Sequence, residues 1–312
     1  MKNKENIRSK GKNLIILCGT QRCGSTMVVS DFRDTGVLGK PEEYFIPWTS
    51  QRLDRPLEHF DGILSSASTE NGNASIKIMA NQLDSIESNL ASSGDLVLSP
   101  SEVDYMFPHV RKLLNDSIFI KINRLNIVAQ AVSRLMSEET GKNHFIDAAS
   151  DYIPGNETLS NEGYNQGVNY NKQYLDKQVI EIIKENAKWD SVLKNWEKPP
   201  INLVYENCID DLGYLSTLGK QLSLDIDINK LPKRKIKKIG NSKNDEFITK
   251  YSLDGTPSAL ESVEVDLLRD SALYIERENT VLAMHLMTLA LKFRPSGAFI
   301  RKKIKDYHSN LK

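Results

Sequence analysis

Apolar residues in this chain fall into two rhythms, short unbroken runs and stripes that recur every three or four positions. Unbroken runs occur at LIILC (14–18), SIKIM (75–79) and SIFIKI (117–122), and INLVYE (201–206) begins directly after Pro199 and Pro200. Short apolar runs bounded by turn formers read as buried strands. Each of the first three leads into a helical stretch. The best defined is 126–141, where Ile127, Ala131, Val132, Leu135 and Met136 share one face and Gly141 ends it. A longer helix is predicted over 172–196 and another near 210–221. Strands alternating with helices predict an α/β fold, a mainly parallel sheet covered by helices on both faces.

The remaining segments are less regular. Residues 150–171 are polar and rich in Gly and Asn, which predicts a long loop that either covers a site or is a solvated excursion. Residues 44–75 yield no periodic pattern. The opening MKNKENIRSKGK predicts a disordered basic arm over 1–12, with no apolar stretch of signal-peptide length behind it. After FITKYSLDGTPSA the composition shifts, and 265–307 reads as two helices and the start of a third. In the second of these, Ala283, Met287, Ala290 and Pro295 stand at offsets of 4, 3 and 5. That spacing is like the second helix of a tetratricopeptide (TPR) repeat, where small residues allow close packing. A single unit cannot form a solenoid. The expected organisation is therefore an arm (1–12), an α/β domain (13–253) and a C-terminal helical, TPR-like hairpin (254–312). The hairpin either docks on the domain or offers a surface to a protein partner.

Charge removes some classes of function. The chain has 41 basic and 41 acidic residues, a formal net charge of zero. Nucleic-acid and membrane-surface proteins normally carry a net basic face, so neither partner is expected. The longest apolar run is five residues, so no transmembrane segment is predicted. Cys18, Cys23 and Cys208 are too few for a disulfide framework and form no C-x-x-C pair, which suits a reducing cytoplasm. The five histidines have no metal-ligand spacing, and no metal is expected.

The first strand runs into GTQRCGST (19–26). This has the G-x-x-x-x-G spacing of a P-loop and a hydroxyl at Thr26, but Ser25 stands where the lysine should follow. A glycine-rich turn entering a helix offers backbone N–H donors and the positive end of the helix dipole. Gly24 lets the backbone approach an anion, Ser25 and Thr26 add hydroxyls, and Arg22 adds a permanent planar cation. Downstream, KPEEYF supplies two adjacent carboxylates, Glu42 and Glu43, after the stiffening Pro41. Residues 230–243 carry seven basic side chains, which form either a solvated face or part of an anion site.

The longer stretch QRCGST, then a helix, then TGVLGKPEEYF, resembles the opening of the trehalose and lipopolysaccharide-type (Stf0-like) sulfotransferases. Three further segments are similar to that family in the same order: IKIMANQ (76–82), FIKINRLNIVAQAVS (119–133) and LVYENCIDD (203–211). The likeness covers about residues 13–250. It implies the P-loop sulfotransferase fold. It also implies a donor, 3′-phosphoadenosine 5′-phosphosulfate (PAPS, leaving product PAP), that has no γ-phosphate and is used without a metal. On that likeness Gln21, Arg22, Cys23, Gly24, Ser25 and Thr26 hold the 5′-phosphate and sulfonate, with Arg22 neutralising the leaving oxygen. Arg124 and Ser133 match the pair that holds the 3′-phosphate, and Lys237 and Lys238 fall in a basic stretch near the donor. Glu43 matches the proposed base, while Glu42, Lys77 and His144 are acceptor-side candidates.

Some positions depart from the family. Asn123 and Leu125 replace arginines, and Ala80 replaces a bulky Trp, which suggests a changed or wider acceptor pocket. The acceptor implied is a hydroxyl of a carbohydrate, glycolipid or glycan precursor, and homodimers are common in the family. Two alternatives belong to other classes. A P-loop kinase or NTPase requires the missing lysine and a strand ending in a Mg²⁺-binding Asp. A non-catalytic nucleotide-binding scaffold would have no need of Arg22, Glu43 and Arg124 together.

Overall fold

The computed structural model describes residues 13–146, 154–254, 262–277 and 280–310. The expected arm lies outside them. Among the described residues there are seven strands: β1 (Leu14–Gly19), β2 (Ala74–Met79), β3 (Ile118–Asn123), β4 (His144–Ile146), β5 (Glu157–Thr158), β6 (Ile201–Val204) and β7 (Ile236–Lys237). Four of them make a sheet in the order β2-β1-β3-β6 with every pair parallel. β1, β2 and β3 are legible as apolar runs because both faces are buried, whereas β6 at the sheet's edge leaves Asn202 exposed. Ile15 and Leu17 point into one apolar cluster, and Ile16 and Cys18 into another. The register sets Gly19 beside Met79 on one side and Ile122 on the other. The carboxyl ends of three strands therefore lie side by side, where ligands bind in open α/β sheets.

The helix Ser25–Thr35 covers one face, burying Met27, Val28, Val29 and Phe32 against Ile15, Leu17, Ile120 and Leu203. It stops at Gly36, whose φ of 65° is left-handed and costs glycine nothing. The other face is covered partly by the segment with no sequence pattern. It contains helices Ile46–Ser50 and Pro56–Ala67, each with a proline in its first turn. Trp48, Phe60 and Ile63 from these helices join Ile86 and Leu90 of helix Leu83–Ser93, and Trp189, in one cluster.

The chain divides into two compact units. One comprises residues up to 123, 144–159 and 188–238; the other comprises 124–143, 160–187 and the residues from 239 onward. Within the second, helix Ile127–Thr140 buries the predicted face and ends at the left-handed Gly141. That face shares a cluster with Leu175 and Val179, with Phe247 and Tyr251, and with residues of helices Ser262–Ile275, Thr280–Phe293 and Ala298–Asn310. Ala283, Met287 and Ala290 are fully buried, and Pro295 is exposed in the turn that follows.

Two expectations change in detail. Part of the polar 150–171 stretch is not a solvated excursion, because Asn165 and Val168 are buried. Asn165 Nδ2 donates to Asn241 Oδ1 (3.1 Å) and Asn244 Oδ1 (3.0 Å), so these asparagines stitch the segment to helix Ser242–Leu253. Residues 147–153 lie outside the described residues. β6 also ends earlier than predicted, at Val204, and Tyr205–Cys208 form a helical turn.

Candidate active site

The turn between β1 and helix Ser25–Thr35 is built by two left-handed residues, Arg22 (φ 67°) and Gly24 (φ 93°). Cys23 N donates to Thr20 O at 3.2 Å, closing the turn. Gly24 is the N-cap; no side chain caps the helix, and its first turn contains no acidic residue. Its amide dipoles are therefore not neutralised by a local carboxylate, which suits an anion. A Cβ on Gly24 would lie 2.2 Å from Tyr205 Cδ2, so only glycine lets that ring pack here. Ser25 and Cys23 are buried, whereas Gln21, Arg22 and Thr26 are partly exposed. Burial pushes the Cys23 thiol up, which leaves it an inert packing group.

Edge strand β2 organises the carboxylate. Gly39 (φ 86°) brings the chain against β2 so closely that a Cβ would lie 2.4 Å from Ser75 N. Lys77 N then donates to Glu42 O at 2.9 Å, which sets the next residue, Glu43, over the strand. Lys77 Nζ sits 2.8 Å from Glu43 Oε1, with the lysine side chain only 6% exposed. Gln82 Nε2 donates to Glu43 Oε2 at 3.0 Å. Glu42 turns the other way and pairs with Arg33 at 3.2 Å. Ala80 is completely buried among the side chains under the sheet, in the cluster with Phe45 and Trp48. The short side chain at position 80 therefore contributes to the packing of this cluster.

His144 opens β4. Burial, with the positive charges of Arg22 and Lys77 nearby, pulls its imidazole down to about 3, so it is neutral at ordinary pH. Arg22, Lys77 and His144 are thus brought into one electrostatic neighbourhood. β4 pairs antiparallel with β7, Phe145 opposite Lys237 and Ile146 opposite Ile236. Lys237 and Lys238 are exposed. Arg234, in the same basic run, has a different task. Its Nε and Nη2 grip Asp31 Oδ1 and Oδ2 at 3.0 and 2.7 Å, and Tyr214 OH donates to Asp31 Oδ2 at 2.8 Å. Asp31 is on helix Ser25–Thr35 and is 1% exposed, so this clamp ties the basic segment to the helix behind the loop.

Arg124 follows β3 immediately, and Ser133 lies on helix Ile127–Thr140; both belong to the second unit. Asn126 Oδ1 caps that helix by accepting from Ala129 N at 2.8 Å. Three features of the first unit escape sequence reading. Lys121 is 2% exposed in β3 and pairs with Asp190; a lysine inside an apolar strand was its signal. Trp189 Nε1 donates to Gly19 O at 2.9 Å, bracing the strand that feeds the loop. Gln82 closes the segment IKIMANQ that resembles the family, but nothing in that segment says what its amide binds. Among the described residues, no group of three His, Cys, Asp or Glu side chains could hold a metal ion. None of the described helices is long and apolar enough to cross a membrane.

A parallel sheet with a glycine turn into an uncapped helix after its first strand, and a gripped carboxylate beside it, makes an α/β protein whose candidate active site lies at the carboxyl ends of its strands. The family model for Stf0 sulphotransferase matches residues 14–254. The chain belongs to that family, and sulfonate transfer is the activity the membership assigns. No curated protein matches the chain.

Proposed function

We propose that the protein moves a sulfonate group from PAPS to a hydroxyl of a carbohydrate, glycolipid or glycan precursor. PAPS supplies an activated sulfonate on a phosphate leaving group. What supports this most is the helix N-terminus after Gly24, which has neither a side-chain cap nor an acidic residue in its first turn and is preceded by Arg22. The amides and hydroxyls at Gly24, Ser25 and Thr26 would hold the 5′-phosphate, and Gln21 and Cys23 complete the turn. Arg22 would offset the charge that grows on the oxygen bridging to sulfur. Glu43 would take the acceptor hydroxyl proton as the new O–S bond forms and the old S–O bond breaks. Lys77 and the neutral His144 would face the acceptor or sulfonate. Glu42 is a weaker acceptor-side candidate because it is paired with Arg33. Arg124 and Ser133 would hold the 3′-phosphate, and Lys237 and Lys238 would add long-range attraction for the donor. Residues 13–253 would form the catalytic region, close to the extent of the family match.

The test is a thermal titration with PAP, ATP and ADP, each in EDTA and again with Mg²⁺. PAP at a hundred times its Kd should stabilise the protein by about 2.7 kcal/mol. If only a Mg²⁺-nucleotide raises the melting temperature, the site is a kinase or NTPase site instead. Binding of PAP with no release of PAP from PAPS on any glycan would favour a scaffold. Arg124→Ala should weaken PAP and leave ADP unchanged; equal weakening of both would remove Arg124 from the 3′-phosphate.

A further inference from the structure

Gln82 is 2% exposed in the single 3-10 turn that follows β2. Its two amide atoms make different bonds. Oε1 accepts from Met79 N at 2.9 Å, and Nε2 donates to Glu43 Oε2 at 3.0 Å. A backbone N–H can only donate, so it fixes the oxygen on Met79 and leaves the nitrogen for the carboxylate. The other carboxylate oxygen is taken by Lys77 at 2.8 Å. Lys77 and Gln82 are five residues apart on one edge strand and its exit turn, so a single rigid segment grips both oxygens of Glu43. A carboxylate offers about four lone-pair positions. Two donors remove the rotational freedom of the group and still leave acceptor capacity on each oxygen.

We propose that Gln82 is the positioning residue for Glu43, locking the carboxylate in the orientation from which it accepts the substrate proton; this rests on Glu43 being the base. The glutamine amide meets both demands at position 82. An ionised glutamate could accept from Met79 but not donate to Glu43, a methionine offers a weak sulfur acceptor and no donor, and a lysine could not accept. Correct orientation of a reacting group is a large part of catalysis, and a misplacement of about 1 Å can cost on the order of a hundredfold. The effect belongs on turnover and not on donor binding.

The experiment measures PAP release from PAPS, with trehalose and with water as acceptors, and PAP affinity by calorimetry. Gln82→Glu keeps the volume and the acceptor for Met79 but sets a second carboxylate against Glu43. Gln82→Met keeps only the length. Both should lower turnover about tenfold or more, with PAP affinity within about twofold of the parent. In a Glu43→Gln background, adding Gln82→Met should cost less than about twofold further, because the oriented group is already gone. Turnover within about twofold of the parent for both single variants would overturn the proposal. So would an equal loss from Gln82→Met in both backgrounds, which marks a merely structural role, or a parallel loss of PAP affinity. If Glu43→Gln alone leaves turnover unchanged, Glu43 is not the base and the foundation fails separately. A parent protein that binds PAP but releases none from PAPS with any glycan offered overturns the sulfotransferase reading beneath it.

Discussion

Arg22 takes a left-handed backbone at the very turn where the proposed reaction needs a cation. Its φ of 67° lies in a region where a Cβ costs about 1–2 kcal/mol. Glycine would relieve that strain, although its greater unfolded-state entropy offsets about 0.5–1 kcal/mol. Arg22→Gly should therefore be at least as stable in urea unfolding as Arg22→Ala, which keeps the Cβ, while both lose turnover alike. A clearly less stable glycine variant would show that the left-handed turn is not strained. His144 makes a second prediction at this scale. Its folded imidazole titrates at about 3, against about 6.5 when unfolded, so between those values the unfolded chain binds the extra proton. Its contribution to stability is complete above about pH 6.5 and is lost as the pH falls towards 3. The difference in unfolding free energy between parent and His144→Gln should shrink steadily from pH 7 to pH 4. A difference that stays constant would mean the imidazole is not held neutral.

Among the elements, the basic run 230–243 separates into parts with different work. Arg234 is bidentate on the buried Asp31, and removing it strands a carboxylate inside the protein. Breaking such a pair costs about 3–5 kcal/mol. Arg234→Ala should show that loss in chemical denaturation. The exposed Lys237→Ala and Lys238→Ala should stay within about 0.5 kcal/mol of the parent and instead weaken PAP. Unchanged PAP affinity in both lysine variants would leave the run purely structural. Local sequence could not make this division, because seven neighbouring cations look alike until one meets Asp31. The same holds on the carboxylate side. Glu42 and Glu43 are adjacent and chemically identical, yet one faces Arg33 and the other Lys77 and Gln82.

For the whole molecule, the C-terminal helices cannot be treated as a removable appendage. Val265, Leu268, Ala272, Leu282, Leu286 and Ile300 share one cluster with Val132, Leu135, Val179 and Phe247. Each fully buried large apolar side chain is worth about 1.5–3 kcal/mol. A chain ending at Asp254 should expose that cluster, bind the apolar dye ANS and unfold with a lower, broader transition than the full chain. A truncated chain that unfolds sharply at the original temperature would show that the unit folds without these helices. The apolar stripe of 265–307 is thus used inside the unit's own core, which the spacing of small residues in the sequence could not distinguish from a partner surface.

What the sequence determined by itself was the order of the four strands of the parallel sheet, the helices that follow the first and third of them, and the glycine turn after the first strand. Central strands buried on both faces must be unbroken apolar runs, and a tight turn into a helix must carry glycine, so both leave local marks. Helix Ile46–Ser50 left almost none, because it is little more than one turn and buries only Trp48, whereas helix Pro56–Ala67 does carry a stripe, Pro56, Phe60, Ile63 and Ala67, at helical spacing among many polar residues. Tertiary structure alone decided which carboxylate is gripped, that Ala80 belongs to the core, and that Tyr205 leans on Gly24. Those facts depend on side chains up to 181 positions apart in the chain. Hydrogen bonds and packing act over a few ångströms of space, and the spacing of residues along the chain carries no record of them.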